Sequence, residues 1–198
     1  QTCALPICRC VVAVADVTGH GIGPALVMAV CRAYARATVP MVASAEEFLE
    51  RINGLVSKDL STGRFITMAV AIVSSDGHVD LLSAGHGPTF LYRAGTRSVE
   101  RFGGAGLPLG IMEEERYTPT ERLRMAPGDV LVMLTDGFME RSSVEGKMYG
   151  LERLTQTVAA TAGRSARETI EAIDAEVTRF GAGAAQGDDM TIVVLKRV

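Results

Sequence analysis

The stretch "ADVTGHG", Ala15 to Gly21, follows the apolar run Val11-Val12-Ala13-Val14 and precedes a long alanine-rich segment. An acid stands where a β-branched apolar run ends, with glycines directly behind it. Residues 10–16 read as a buried strand. Gly19, Gly21 and Gly23 permit unusual backbone angles, and Pro24 suits the first turn of a helix. The stretch is a strand-to-helix turn. What remains open is the task of Asp16, which could cap the turn, serve a nucleotide site or bind a metal.

Downstream, residues 25–37 are almost wholly apolar or small, which predicts a helix buried on most faces. Ser44-Ala45-Glu46-Glu47 is a capping-box pattern, and Phe48, Leu49, Ile52, Leu55, Val56 and Leu60 form one apolar stripe behind it. The period then changes. Residues 65–73 and 79–83 are strand-like around the turn signal Asp76-Gly77, which predicts a hairpin. Short strands follow at 89–93, 98–102 and 119–124, with a loop over 103–110. Pro127-Gly128-Asp129 turns the chain into an apolar strand over 130–134. A helix over 150–161 and a second one behind the capping box Ser165-Ala166-Arg167-Glu168 come next. That second helix places Ile170, Ile173, Val177 and Phe180 on one stripe; residues 181–187 break it, and 190–195 form a last buried strand. Hairpins together with paired helices predict an α+β layered fold rather than a βαβ alternation. There is no internal repeat.

With 198 residues the chain can bury a substantial core, and 47% hydrophobic with 22% charged residues is ordinary for a globular domain. A net charge of −3 supplies no basic excess to neutralise phosphates, so nucleic acid is excluded as the main partner. No window is apolar enough for a membrane span, and a cytoplasmic location is expected. The opening "QTCALPICRC" lacks the features of a secretory signal. Cys3, Cys8 and Cys10 form neither a CxxC pair nor a set with histidine, which argues against zinc; Cys31 stands apart. "CALPI" is also what a sequencing-adapter oligonucleotide encodes in one frame. Residues 1–8 are therefore expected to be non-native or disordered, with a domain over 9–198.

Three places share one local grammar. Asp16 ends the first strand; Asp136, in "VLVMLTDGFME", ends a central one; Asp188 and Asp189, in "GAAQGDDMTIVV", stand at the entrance to the last. An acid at the mouth of an apolar strand is poorly hydrated unless something offsets its charge. Clustered carboxylates repel, and a divalent cation is the simplest remedy. Ligands that are all oxygen favour a hard ion such as Mg²⁺ or Mn²⁺, and such an ion makes a nucleophile of a bound water near neutral pH. The pattern points to metal-assisted hydrolysis of a phosphate ester. The methionines Met125, Met133, Met139 and Met190 read as core fillers.

The segments "ADVTGHGIGPALVMA", "LLSAGHGP", "GLPLGI", "MAPGDVLVMLTDGFMER", "YGLERL" and "GDDMTIVVL" together resemble the PPM-type (PP2C-like) serine/threonine phosphatases. More narrowly, they resemble the bacterial branch of stage II sporulation protein E and the stress-response phosphatases of sigma-factor regulation. The resemblance runs from about residue 10 to the C-terminus. It implies a PP2C-like β-sandwich flanked by helix pairs, with two divalent cations, Mn or Mg, at one end. Asp16 would bridge the ions, the Val17 carbonyl would reach one of them, and Asp136 and Asp188 would complete the shell of the other. Asp189 and Gly137 would support the ligands from behind. The nucleophile would be a water held by the metals, with no side-chain nucleophile. His20, His86 and Arg141 are weaker acid/base or substrate-contact candidates, and His78 reads as exposed.

The implied substrate is a phosphoserine or phosphothreonine on a regulatory protein such as an anti-sigma-factor antagonist. Sensor domains upstream are a further expectation. Relatives begin with a strand pair bearing a "GGDxxD"-like motif, and nothing here matches it, so the expectation is an N-terminally truncated domain with weakened metal binding. The rival reading is a non-catalytic regulatory module on the same fold. A remoter one, a GHKL-type ATP-binding kinase, rests on a superficial Asp-x-Gly-x-Gly likeness and leaves Asp136 and Asp188 unexplained.

Overall fold

The computed structural model describes residues 9–60, 63–118 and 121–198. The expected non-native segment 1–8, with Cys3 and Cys8, lies outside the described residues, as do the first two positions of the strand expected over 119–124. In chain order the elements are β1 (Arg9–Val17), α1 (Ile22–Thr38), a 3-10 turn (Val39–Met41), α2 (Ala45–Asp59), β2 (Ile66–Ser74), β3 (His78–Ala84), β4 (Thr89–Arg93) and β5 (Ser98–Phe102). They continue with β6 (Glu121–Arg124), β7 (Val130–Leu134), α3 (Gly137–Glu140), α4 (Gly150–Thr161), α5 (Ala166–Phe180) and β8 (Ile192–Lys196).

The chain divides into two units: residues 1–86 with 103–124, and residues 87–102 with 125–198. Each has its own antiparallel sheet and its own helix pair. The first unit carries the order β1-β2-β3-β6, the second β5-β4-β7-β8. The α+β class expected from the hairpins and paired helices is the one observed.

In the first unit, β2 reads Ile-Thr-Met-Ala-Val-Ala-Ile-Val-Ser. Ile66, Met68, Val70 and Ile72 share one pleat face with Leu82 of β3, and Phe48, Leu49, Ile52 and Val56 of α2 pack there. Ala69 and Ala71 on the opposite face are buried as well, which is why the strand is apolar throughout instead of alternating. Ser44 caps α2 by accepting from the Glu47 amide at 3.2 Å, while the Glu47 carboxylate reaches the Ala43 amide instead of that of Ser44. The box is half made.

One expectation fails here. α1 is not buried on most faces: Ile22 is 81% and Leu26 63% exposed, and of its seventeen residues only Cys31 and Thr38 are buried. The helix packs through the single stripe Val27, Met28, Cys31, Tyr34 and Ala35. A run this rich in apolar and small residues does not show which side meets the core. Burial raises the Cys31 thiol to about 11.

The second unit repeats the logic. All five residues of β7 are buried, and Val130, Val132 and Leu134 meet Phe90, Leu154, Val158, Ile173 and Val177. Met133 and Met125 are buried, while Met139 and Met190 pack against this core from its edge. The Ser165 capping box is complete: Ser165 Oγ accepts from the Glu168 amide and the Glu168 carboxylate accepts from the Ser165 amide. Asp129, 2% exposed, holds the β7 entry turn by accepting from the Ala94 and Ala126 amides and from Arg93. The last strand starts at Ile192, two residues later than expected. Asp189 and Thr191 instead hold the loop before it through Thr135, and Met190 packs against the core. Among the described residues, no helix is long and apolar enough to cross a membrane.

Candidate functional site

Asp16 is the penultimate residue of β1 and stands opposite Thr67 in β2. It is half-buried, and Val17 beside it sends its side chain into the core at 6% exposure. The strand ends through Thr18. Its amide donates to the Phe65 carbonyl at 3.1 Å, and its Oγ1 accepts the Phe65 amide at 3.1 Å. The hydroxyl replaces a backbone carbonyl in the last rung, so the chain can leave the sheet with its polar groups satisfied. Gly19 (φ 89°) and Gly21 (φ 93°) then adopt left-handed geometry that a side chain would oppose, and α1 begins.

Thr67 also connects to His86, whose Nδ1 lies 2.9 Å from Thr67 Oγ1. His86 is 3% exposed, and its amide and carbonyl are both bonded to Ser83 Oγ. It is a fixed interior residue. His20, by contrast, is exposed in the turn. His78 is exposed and pairs with Asp76, Nδ1 to Oδ2 at 2.7 Å.

In the second unit Asp136 leaves β7 and opens α3, its carbonyl accepting the Met139 and Glu140 amides at 2.7 and 2.9 Å. Its Oδ1 is buried and has no hydrogen-bond partner among the described residues. A buried carboxylate oxygen left in this state is costly unless a cation or its water completes it. Asp136 and Asp188 each offer an oxygen within 4.8 Å of the other's. Two oxygens on one hard cation, each at 2.0–2.6 Å, lie at most roughly 4–5 Å apart. The pair therefore fits a shared divalent ion.

The loop that carries Asp188 is held by Thr135 and Thr191, which sequence reasoning did not single out, and by Asp189, Gly137 and Arg141, which it did. Thr135, 2% exposed, donates its amide to the Thr191 carbonyl at 3.0 Å and accepts the Thr191 amide on Oγ1 at 2.9 Å. The same Oγ1 donates to the Asp189 carbonyl at 3.0 Å. Asp189 thus contributes its backbone here: its carbonyl takes Thr135, and its amide donates to Asp188 Oδ1 at 2.8 Å. Gly137 is required by close approach, since a Cβ there would lie 2.3 Å from the Asp189 carbonyl oxygen. Asp188 itself is exposed, not poorly hydrated as its place beside an apolar strand suggested, because β8 begins four residues later. Arg141 is half-buried and its guanidinium is committed to backbone carbonyls. It donates through Nη1 to the Ala185 carbonyl and through Nη2 to those of Gly181 and Ala184, at 2.7–2.9 Å. The signal for these residues was present in the motif "LTDGFMER", where Thr135 and Arg141 flank the acid.

Two antiparallel sheets with their own helix pairs, and acids at the strand ends, define a PP2C-type phosphatase fold. Residues 8–198 match the family described as Stage II sporulation protein E (SpoIIE), and the chain belongs to that family. It is 30% identical over 190 residues to the phosphoserine phosphatase RsbU of Bacillus subtilis, covering 94% of this chain and 55% of that protein. Among solved structures it resembles the RsbU and RsbW domains of a Mycobacterium tuberculosis protein (TM-score 0.78, 25% identity, 96% of this chain and 52% of that one). The SiaA PP2C domain of Pseudomonas aeruginosa shares the fold at TM-score 0.81 and 20% identity, over 95% of this chain and 74% of that one. The chain spans about half the length of RsbU. Membership of this family and the PP2C-like fold give no support to the ATP-binding kinase reading.

Proposed function

We propose that this domain is a divalent-cation-dependent protein serine/threonine phosphatase acting on a phosphoserine or phosphothreonine of a regulatory protein, of the anti-sigma-factor-antagonist type. The observation that carries the reading is the orphaned Asp136 Oδ1 beside the Asp188 carboxylate. The likeness to a phosphoserine phosphatase supports the substrate class. A third solved structure of this fold, the catalytic domain of PstP, is a complex with two manganese ions, which supports Mn²⁺ as the ion.

In this reading Asp16 and the Val17 carbonyl hold cations together with Asp136 and Asp188, and Asp189 and Gly137 keep the last two in place. When bound, the ions supply an activated water and stabilise charge on the transferring phosphoryl group. The chain's own part is to present acids that are fixed in place. Thr18 sets where β1 stops and thus where Asp16 projects. Thr135 closes the loop so that Asp188 faces Asp136. His86, buried and bonded to Thr67, holds the strand next to Asp16 and gives no sign of handling a proton at solvent.

The test is hydrolysis of an aryl phosphate and of a phosphoserine peptide with and without Mn²⁺, for the wild type and Asp136→Asn. Turnover is expected only with metal, and the variant should lose about 10²–10³-fold. Metal-independent turnover, or an unimpaired variant, overturns the proposal.

A further inference from the structure

Arg141 commits its guanidinium to three carbonyls of one loop, those of Gly181, Ala184 and Ala185. This is an unusual use of a side chain with five donors in a rigid fork, which ordinarily selects carboxylate or phosphate. The carbonyls belong to the turn that ends α5 and leads directly into Gln186, Gly187 and Asp188. The same turn is shaped to receive the fork: at Gly181 a Cβ would lie 2.1 Å from Arg141 Nε and 2.6 Å from its Cζ. Gly181 itself has φ −85° and ψ 10°, a conformation open to any residue, so its small size serves the arginine and not the backbone. Arg141 also sits one turn after Asp136, with the Tyr149 amide donating to its carbonyl at 2.9 Å. A cavity of about 160 Å³ lies between the two segments, lined by Gly137, Glu140, Arg141, Gln186, Gly187 and Asp188.

We infer that Arg141 is a positioning residue for the Asp136–Asp188 pair. It ties the 181–185 turn to the segment that carries Asp136, so the two acids, fifty-two positions apart in sequence, keep one spacing. Thr135 holds the far side of the same loop through Asp189 and Thr191. Asp188 lies between these two fastenings. It is exposed, and its other hydrogen bonds, from the Asp189 amide to Oδ1 and from Gln186 Nε2 to its carbonyl, lie within the loop and move with it, so they do not fix the carboxylate against Asp136.

The inference rests on the metal-site reading given above, and the experiment separates the two. Mn²⁺ binding by calorimetry and amide hydrogen exchange over 182–189 are measured for the wild type, Arg141→Met, Arg141→Lys and Gly181→Ala. The Gly181→Ala variant keeps the arginine but displaces its flexible end, so it removes the clamp without removing the side chain or straining the backbone. Arg141→Met and Gly181→Ala should both exchange faster in this loop and bind Mn²⁺ about 10- to 100-fold more weakly, the range seen when the supports of metal ligands are removed. Arg141→Lys, which can satisfy only part of the carbonyl set, should fall between. For peptide hydrolysis at saturating Mn²⁺, KM should move little. Wild-type protein that binds no Mn²⁺ defeats the metal reading itself. Wild type that binds Mn²⁺, with Gly181→Ala and Arg141→Met binding equally well or exchanging no faster, overturns the role assigned to Arg141.

Discussion

Thr18 and Thr135 end their strands in the same way, yet their hydroxyl protons go to different places. In both, the backbone amide donates to a partner carbonyl while Oγ1 accepts the partner's amide: Phe65 for Thr18, Thr191 for Thr135. In the first unit Thr18 Oγ1 turns its proton back on the same Phe65 carbonyl at 3.2 Å. In the second it goes on to Asp189, within the acidic loop itself. Asp16 needs no such help, because it is still inside a strand with Thr67 across from it. Asp188 lies outside any strand and is held by side chains of Thr135 and Arg141 instead. A ladder places one acid, and a set of clips places the other.

The largest effects should come from the acids. Asp16→Asn and Asp136→Asn are each expected to lower Mn²⁺-dependent turnover by about 10²–10³-fold with little change in unfolding midpoint. If Asp16→Asn alone were tolerated, the first unit would have no part in the chemistry, and the comparison would lose its point.

The threonines test the difference directly. Thr135→Val removes a buried hydroxyl that makes two bonds, leaving the Thr191 amide and the Asp189 carbonyl without it, and should cost about 1–3 kcal/mol together with weaker Mn²⁺ binding. Thr18→Val should cost less, about 0.5–1.5 kcal/mol, since its site is only partly buried. Denaturant titration gives the first quantity and calorimetry the second. Equal effects on metal binding would mean that the extra bond to Asp189 is idle.

Helix caps provide a smaller contrast between the units. Ser165→Ala breaks a complete box and should destabilise by roughly 1 kcal/mol, whereas Ser44→Ala removes half of one and should cost less. Thermal melts of the two variants side by side would show the order. Smallest is the Cys31 thiol, pushed up to about 11 from an ordinary 9.0. The unfolded chain releases that proton first, so between those values the native state binds more protons and stability falls as pH rises. The decline should be shallower in Cys31→Ala, with the buried Tyr117 phenol, also raised by burial, contributing to what remains.

Much of this was legible in residues alone. β7, with Val130 to Leu134 between a Pro-Gly-Asp turn and an acid, stands where its pattern puts it, and α4 runs over the residues its stripe marks. Ser165 and Glu168, three apart, announce their own contact. α1 departs from its pattern because a segment this rich in apolar and small residues, broken only by Arg32, Arg36 and Thr38, gives no clear stripe, and only packing against α2 and the sheet shows that Ile22 and Leu26 face outward. β8 starts later than its pattern suggests because Met190 and Thr191 look like strand residues, whereas Thr191 fastens the preceding loop to Thr135.

Local periodicity and turn chemistry act over a few residues, and that is the range over which the sequence by itself determined strands, helices, caps and the presence of an acid at each strand end. Family-wide motifs added which acids to watch. Tertiary structure decided what spans tens of positions: that Thr135 reaches Thr191, that Arg141 closes on Gly181, Ala184 and Ala185, and that Asp136 keeps an oxygen buried and unbonded near Asp188. A hydrogen bond between residues forty or more apart leaves no periodic trace in the chain. Its partners are chosen by where the sheet and helices bring the backbone, and a threonine or an arginine in a motif does not reveal beforehand which carbonyl it will meet.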